Sequence, residues 1–258
     1  MLKKDNPVTY ICTSTEDAIF IRDKNLVEDL VGKMTFTEML LFHLLKQPPT
    51  EMQTVIVDAV LITIMEHGLT PSAIAARETY LGAPESLQGA VAAGLLGVGS
   101  RFAGTAGDCA VLLEEIVGVP ESEKSGVATA IVQRHRKTKT PVPGFGHPIH
   151  KKGDPRTPRL VEIAETVGAR GDYIAAMHLL SEAMDEEFGK HIVINVSAAI
   201  GAVLCEAGIP ATITRGITLV SRCAGLVGHL LEEMEEPSAT YLWHLAEEKI
   251  PYAGEAGK

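Results

Sequence analysis

The sequence predicts an all-α protein, and three observations carry that expectation. Aromatic residues make up only 5% of the chain while alanine is abundant, so most segments favour helix over strand. Helix-start signals stand immediately before apolar runs. Strands and helices do not alternate, which disfavours a doubly wound sheet. At 258 residues, 46% hydrophobic and 22% charged, the composition is globular and supplies one large domain or two modest ones, excluding a disordered tail or a fibre.

Taken in order, "YICTSTEDAIFIRDKNL" at 10–26 reads as a short strand pair. Thr35 with Glu38 three residues on is a capping box opening "MLLFHLL". Thr50 and Gln53 repeat the signal. The helix they open, "EMQTVIVDAVLITIMEHG", is apolar on nearly every side between Val55 and Met65, so it is expected to be buried all round. Gly68 ends it, and Thr70-Pro71 starts the next helix with proline at its first position. Residues 86–113 alternate small residues with leucines and valines, which favours close helix packing within the subunit or across a dimer interface. Further helices are expected at 121–137, 157–168, 172–188, 196–207 and 211–235. There is no internal repeat and no low-complexity linker. The irregular stretches Gly99–Gly107 and Ala207–Ile209 are the candidate hinges.

A formal charge of −10 argues against nucleic acid as the partner, because a duplex binder needs a broad basic face. Cys12, Cys109, Cys205 and Cys223 are far apart, which suggests neither a disulfide framework nor a zinc knuckle and fits a reducing cytoplasm. The first twenty residues have no apolar core of signal-peptide length, and no stretch reaches the roughly 20 apolar residues that span a bilayer. A soluble, unexported protein is expected.

Residues 134–156, "RHRKTKTPVPGFGHPIHKKGDPR", concentrate seven Lys or Arg against one acid, Asp154. Prolines and glycines at 141–146 are expected to stop the preceding helix and to leave backbone amides free to face a ligand. The segment reads as a polyanion site whose histidine, His147, is held by a glycine turn. His67, at the expected carboxyl end of a buried helix, sits where the dipole favours an imidazolium and an anionic ligand. Arg156 and Arg222 offer guanidinium groups suited to bidentate carboxylate capture.

"PGFGHPIHKKGDPR" resembles the signature of the citrate synthase family, a G-x-G-H turn followed at fixed spacing by D-P-R. "IMEHGLTPSAIAAR" resembles the family's first catalytic-histidine region. "LLGVGSRFAG", "VINVSAAIGAVL" and "SRCAGLVGHLLEE" are most similar to the branch of citryl-CoA lyases and the citryl-CoA-cleaving domain of ATP citrate lyase. The resemblance implies an all-α, two-domain fold working as a homodimer or higher oligomer. Residues 1–105 and 210–258 would form the large domain, and 106–209 the small domain carrying the G-F-G-H loop. Coenzyme A thioester and dicarboxylate would bind in the cleft between them. No metal, nucleic acid or membrane is implied. Carried over by position, His67, His147 and Ser197 occupy catalytic places, and Arg156, Arg222 and Asn195 bind substrate. Gly144, Phe145, Gly146, Lys151 and Lys190 lie along CoA.

Three departures bear on the chemistry. The family has an acid–base aspartate after the asparagine-valine pair of "INVSAAIG", and here that position is Ser197, whose hydroxyl cannot exchange a carbon-bound proton as a carboxylic acid does. Pro148 stands where many relatives have arginine. Stretch 97–107 also lacks the enol-binding histidine of citrate synthases, which points to the lyase branch. Three readings stay open: a citryl-CoA-type lyase, a condensing enzyme, and a non-catalytic subunit that binds CoA or dicarboxylate.

Overall fold

An exposed hairpin-like sheet begins the chain, with β1 (Cys12–Ser14), β2 (Ile19–Ile21) and β3 (Lys24–Asn25) antiparallel in the order β1-β2-β3. A single wide helical turn, Leu26–Leu30, leads from it into the helical body. The protein is described by a computed structural model that covers residues 7–99, 104–147, 150 and 153–254.

The helices follow the cap signals. Helix α1 (Phe36–Leu45) and helix α2 (Glu51–Met65) both open on complete capping boxes, Thr35 with Glu38 and Thr50 with Gln53. Helix α3 (Pro71–Gly82) has Pro71 in its first turn. Then come α4 (Leu87–Leu96), α5 (Thr105–Val117), α6 (Glu121–Thr138), α7 (Arg156–Thr166), α8 (Asp172–Phe188), α9 (Val196–Glu206), α10 (Ala211–Glu235) and α11 (Ala239–Lys249). The expected all-α class holds. No local pattern signals α11, whose first position is capped not by its own Ser238 side chain but by a carboxylate from α10.

Helix α2 is not buried all round, because Ile62 is 66% exposed while Ile56, Val57, Val60, Leu61 and Ile64 are buried. Its residues are apolar on nearly every side, yet a stripe through Asp58 and Ile62 faces outward while the rest packs on neighbouring helices. The enclosed helix is α9, buried from Ala198 to Cys205 without a break. Small residues make that enclosure work. A Cβ at Gly201 would stand 2.9 Å from the Ala106 carbonyl oxygen, so bare backbone lets α9 lie directly against α5. The stretch 86–113 is correspondingly divided, with α5 in the main core and α4 packed on α3 and α10. Helix α2 ends at Met65, and Gly68, at φ +69°, lies in the turn beyond it.

All four cysteines are free thiols. Burial pushes Cys109 and Cys205 up to about 12, so both are inert core groups. Among the described residues no single helix is long and apolar enough to cross a membrane.

Candidate active site

The G-F-G-H segment is zippered to the strand-like approach to α9. Gly146 N–H donates to the Val193 carbonyl at 2.7 Å, Asn195 N–H donates to the Gly144 carbonyl at 3.0 Å, and Phe145 bridges Ile194. Gly144 adopts φ +87°, and a Cβ there would meet Ala198 at 2.7 Å and Cys109 Sγ at 2.8 Å. The glycine is therefore required twice over, by conformation and by contact with the α5–α9 pair. This corrects one expectation: the amides of Phe145 and Gly146 do not face a ligand, since Val142 and Val193 carbonyls take them. The turn serves to aim His147.

His147 emerges half-buried from this pinned turn. Its ring stacks 6.5 Å from that of His67, at 12° between planes, and 4.4 Å from His150. The resemblance named the first pair, and the structure brings it together. His150 N–H donates to His147 Nδ1 at 2.9 Å, which leaves the lone pair on Nδ1 and the ring proton on Nε2. Burial lowers the His147 pKa and the charge of His150 adds to the lowering, so the imidazole is neutral at physiological pH. His150 was missed because a histidine two residues past a proline carries no pattern of its own.

Arg156 begins α7 and is held by Asp154, whose carboxylate takes Arg156 Nε at 2.9 Å, Nη2 at 2.8 Å and the backbone N–H at 3.1 Å. Asp154 also accepts the Val196 N–H at 3.0 Å, tying the D-P-R corner to the start of α9. Burial alone would raise this carboxyl, but the bonds from Arg156 and Val196 outweigh it and bring it to about 2. Arg222, on α10, is nearly buried, and its Nη1 has no hydrogen-bond partner among the described residues. Among the described residues its near charge of opposite sign is Glu66, whose Oε1 is 3.8 Å away. Burial lowers the Arg222 pKa, Glu66 opposes this, and the charge of Arg156 lowers it further. Two guanidinium groups that repel one another, one with an unused buried donor, make a site that favours an anion.

Asn195 caps α9, with Oδ1 accepting the Ser197 N–H at 2.9 Å and Nδ2 donating to the Gly146 carbonyl at 2.8 Å. It clamps the glycine turn to the helix. Ser197 Oγ accepts a hydrogen bond from Thr105 Oγ1 at 2.8 Å, so the position of the family's carboxylate is occupied by a hydroxyl pair. Thr105 belongs to the glycine-rich stretch but gave no signal, since nothing in sequence places the start of α5 beside the start of α9.

The basic segment is less free than its composition implies. Arg134 and Arg136 lie on α6 and pair with Glu115 and Glu187. Lys190 is exposed on the loop after α8, and Lys151 lies outside the described residues. Among the described residues no group of His, Cys, Asp or Glu side chains is placed to share a metal ion.

Residues 9–242 match the family described as citrate synthase, C-terminal domain. The chain belongs to the citrate synthase family. Among solved members, a citryl-CoA lyase from Hydrogenobacter thermophilus is 32% identical with a TM-score of 0.85, covering 97% of this chain and 96% of that one. An ATP citrate lyase from Methanosaeta concilii, solved with (3S)-citryl-CoA, shares the fold at a TM-score of 0.79 and 21% identity, over 100% of this chain and 43% of that one. A putative citrate synthase 2 of Mycobacterium tuberculosis is 28% identical over 197 residues, 72% of this chain and 50% of its own length. The chain thus spans about half the length of the curated citrate synthases it matches.

Proposed function

We propose that the chain is a carbon–carbon lyase of the citryl-CoA type, cleaving citryl-CoA or a related 3-hydroxy-3-carboxyacyl-CoA to acetyl-CoA and an oxo acid such as oxaloacetate. The observation that carries this reading is the buried Nη1 of Arg222, which has no hydrogen-bond partner among the described residues, beside Arg156 and next to the facing rings of His67 and His147. The end-to-end likeness to a citryl-CoA lyase supports it.

In this mechanism Arg156 and Arg222 bind the carboxylates of the substrate. The tertiary hydroxyl displaces the His150 N–H from His147 Nδ1 and gives its proton to that nitrogen. The carbon–carbon bond breaks as the hydroxyl oxygen becomes the carbonyl of the oxo acid, and its electron pair passes into the thioester as an enolate. His67 donates to the enolate oxygen, and a water held by Ser197 and Thr105 protonates the enolate carbon, the hydroxide it leaves taking back the proton that His147 received, so that no net proton is gained or lost. Condensation would require a base to remove a methyl proton at that point, and a hydroxyl pair supplies none. CoA runs past the turn Gly144–Gly146 toward Lys190, the family resemblance assigns Lys151 to the same ligand, and Asn195 contributes its remaining N–H to the substrate.

The two-part division, 1–105 with 210–258 against 106–209, belongs to the same proposal, with substrate bound between the parts. So does a homodimer. An apolar groove of about 400 Å³ lies between α4 and α10, lined by Leu87, Val91, Leu95, Cys223 and Val227, and would be covered by a second copy. Four free cysteines support a cytoplasmic location.

The test is acetyl-CoA release, followed by mass spectrometry, from citryl-CoA and a panel of hydroxyacyl-CoA thioesters. Wild type should turn over at least one, with Ser197→Ala reduced moderately. A silent wild type revived by Ser197→Asp would identify a degenerate binding subunit instead. A stable monomer in light scattering at micromolar concentration would overturn the dimer.

A further inference from the structure

His67 is exposed, follows the end of α2 and makes no hydrogen-bonded anchor through its own ring among the described contacts, yet its peptide is firmly held. The holder is Glu66. Its carboxylate folds back over its own turn, and Oε1 accepts the N–H groups of His67 at 2.6 Å and Gly68 at 2.7 Å. A half-exposed carboxylate has many conformations, and something must select this one.

The selection comes from α10. A Cβ at Gly225 would lie 2.0 Å from the Met65 carbonyl oxygen, so α10 passes the end of α2 at the closest approach a backbone permits. One turn further along, His229 is buried and its Nε2 stands 2.9 Å from Glu66 Oε2. The other nitrogen, Nδ1, lies 2.9 Å from Arg77 Nη2 and 3.2 Å from Arg77 Nε. A guanidinium only donates, so Nδ1 holds the lone pair and the ring proton sits on Nε2, aimed at Glu66.

Arg77 cannot choose otherwise. It is 2% exposed. Its Nη1 donates to Glu233 and Ser238, and Nη2 also donates to Glu232, which together with the contacts to His229 occupies all its N–H groups. Glu233 in turn accepts the N–H groups of Ser238 and Ala239 and so caps α11. A directed chain of hydrogen bonds therefore runs from the start of α11 through Arg77 and His229 to Glu66 and the peptide of His67. Because Glu66 also faces Arg222, its placement sets how far that cation is neutralised.

We propose that His229 is a positioning residue of the candidate site, fixing Glu66 and through it the turn that carries His67. A purely structural role would need His229 only as an acceptor for Arg77. The positioning role needs its Nε2–H donor. The catalytic consequence rests on the lyase reading; the hydrogen-bond chain does not.

Two variants separate these roles. Glutamine can place an N–H near the original Nε2 and reach Glu66, whereas asparagine can place an oxygen near Nδ1 and satisfy Arg77 but stops short of Glu66. In ¹⁵N-labelled protein, the amide resonances of His67 and Gly68 should move and broaden in His229→Asn and stay near wild type in His229→Gln. With citryl-CoA, kcat should fall on the order of 10²-fold in the asparagine variant, with a smaller change in KM, and should be largely rescued by glutamine. Amides unmoved in His229→Asn would overturn the chain itself. Moved amides with unchanged kcat would overturn the positioning role. Moved amides in a protein that cleaves no thioester would support the chain while the lyase reading falls.

Discussion

His147 and His67 face each other at 6.5 Å, but the chain holds them by opposite means. His147 leaves a segment fixed by backbone. Its glycines pair with residues 193–195, Gly144 sits against Ala198, and Asn195 clamps the turn. His67 leaves a helix end fixed by side chains, through Glu66 and the buried chain of His229 and Arg77. At Gly144 the first support leaves no room for an added atom. The second tolerates atoms but not the loss of a donor or acceptor. Close-packed backbone positions a group by exclusion, and a hydrogen-bonded chain positions it by complementarity, so the two halves of one site should fail in different ways.

The largest effect expected is on chemistry rather than stability. His147→Ala should lower turnover by about 10²- to 10⁴-fold, because a general acid–base group is removed, with little change in melting temperature. Equal activity of variant and wild type would end the mechanism proposed for this ring.

Next comes a contrast within the glycine turn. Gly144→Ala adds both left-handed strain and a clash with Ala198 and Cys109, and should cost about 3 kcal/mol or more. Gly146 has φ +81°, and among the described residues nothing stands within 4 Å of where its Cβ would be, so Gly146→Ala should cost about 1–2 kcal/mol. Urea unfolding of both variants checks the order. A reversal would mean that the turn is held by something other than its contact with α9.

Asp154 links the two ends of the first support and predicts a pH dependence. Its folded value of about 2 lies below the ordinary 3.8, so its stabilisation is complete above about pH 4 and is lost as pH falls toward 2. That displacement corresponds to about 2 kcal/mol. Asp154→Asn should therefore be less stable at pH 7 by roughly that amount and should show a shallower loss between pH 4 and 2. Parallel acid limbs for variant and wild type would contradict the assignment. The smallest effect is expected outside both supports: Arg134→Ala breaks a surface pair with Glu115 and should shift stability by less than about 1 kcal/mol in the same unfolding assay.

Much of this molecule was legible before its structure. Capping boxes at Thr35 and Thr50, the proline start at Pro71 and five later helices stand where local chemistry puts them, since a cap involves residues within one turn. The G-F-G-H turn and the pairing of His147 with His67 were readable too, from spacing and family resemblance. Three things were not. Apolar residues surround α2 in sequence, but only packing shows that α9 is the enclosed helix and that Ile62 faces outward. The basic segment counts seven cations, yet only the fold shows that Arg134 and Arg136 are already paired and that the amides of Phe145 and Gly146 are already used. Thr105 meets Ser197, and Arg77 reaches Glu66 through His229, across separations of 92 and more than 150 residues. Local rules act over one turn of chain, whereas a buried donor finds its acceptor wherever the fold brings one, so the supports of this site were settled only when the helices packed.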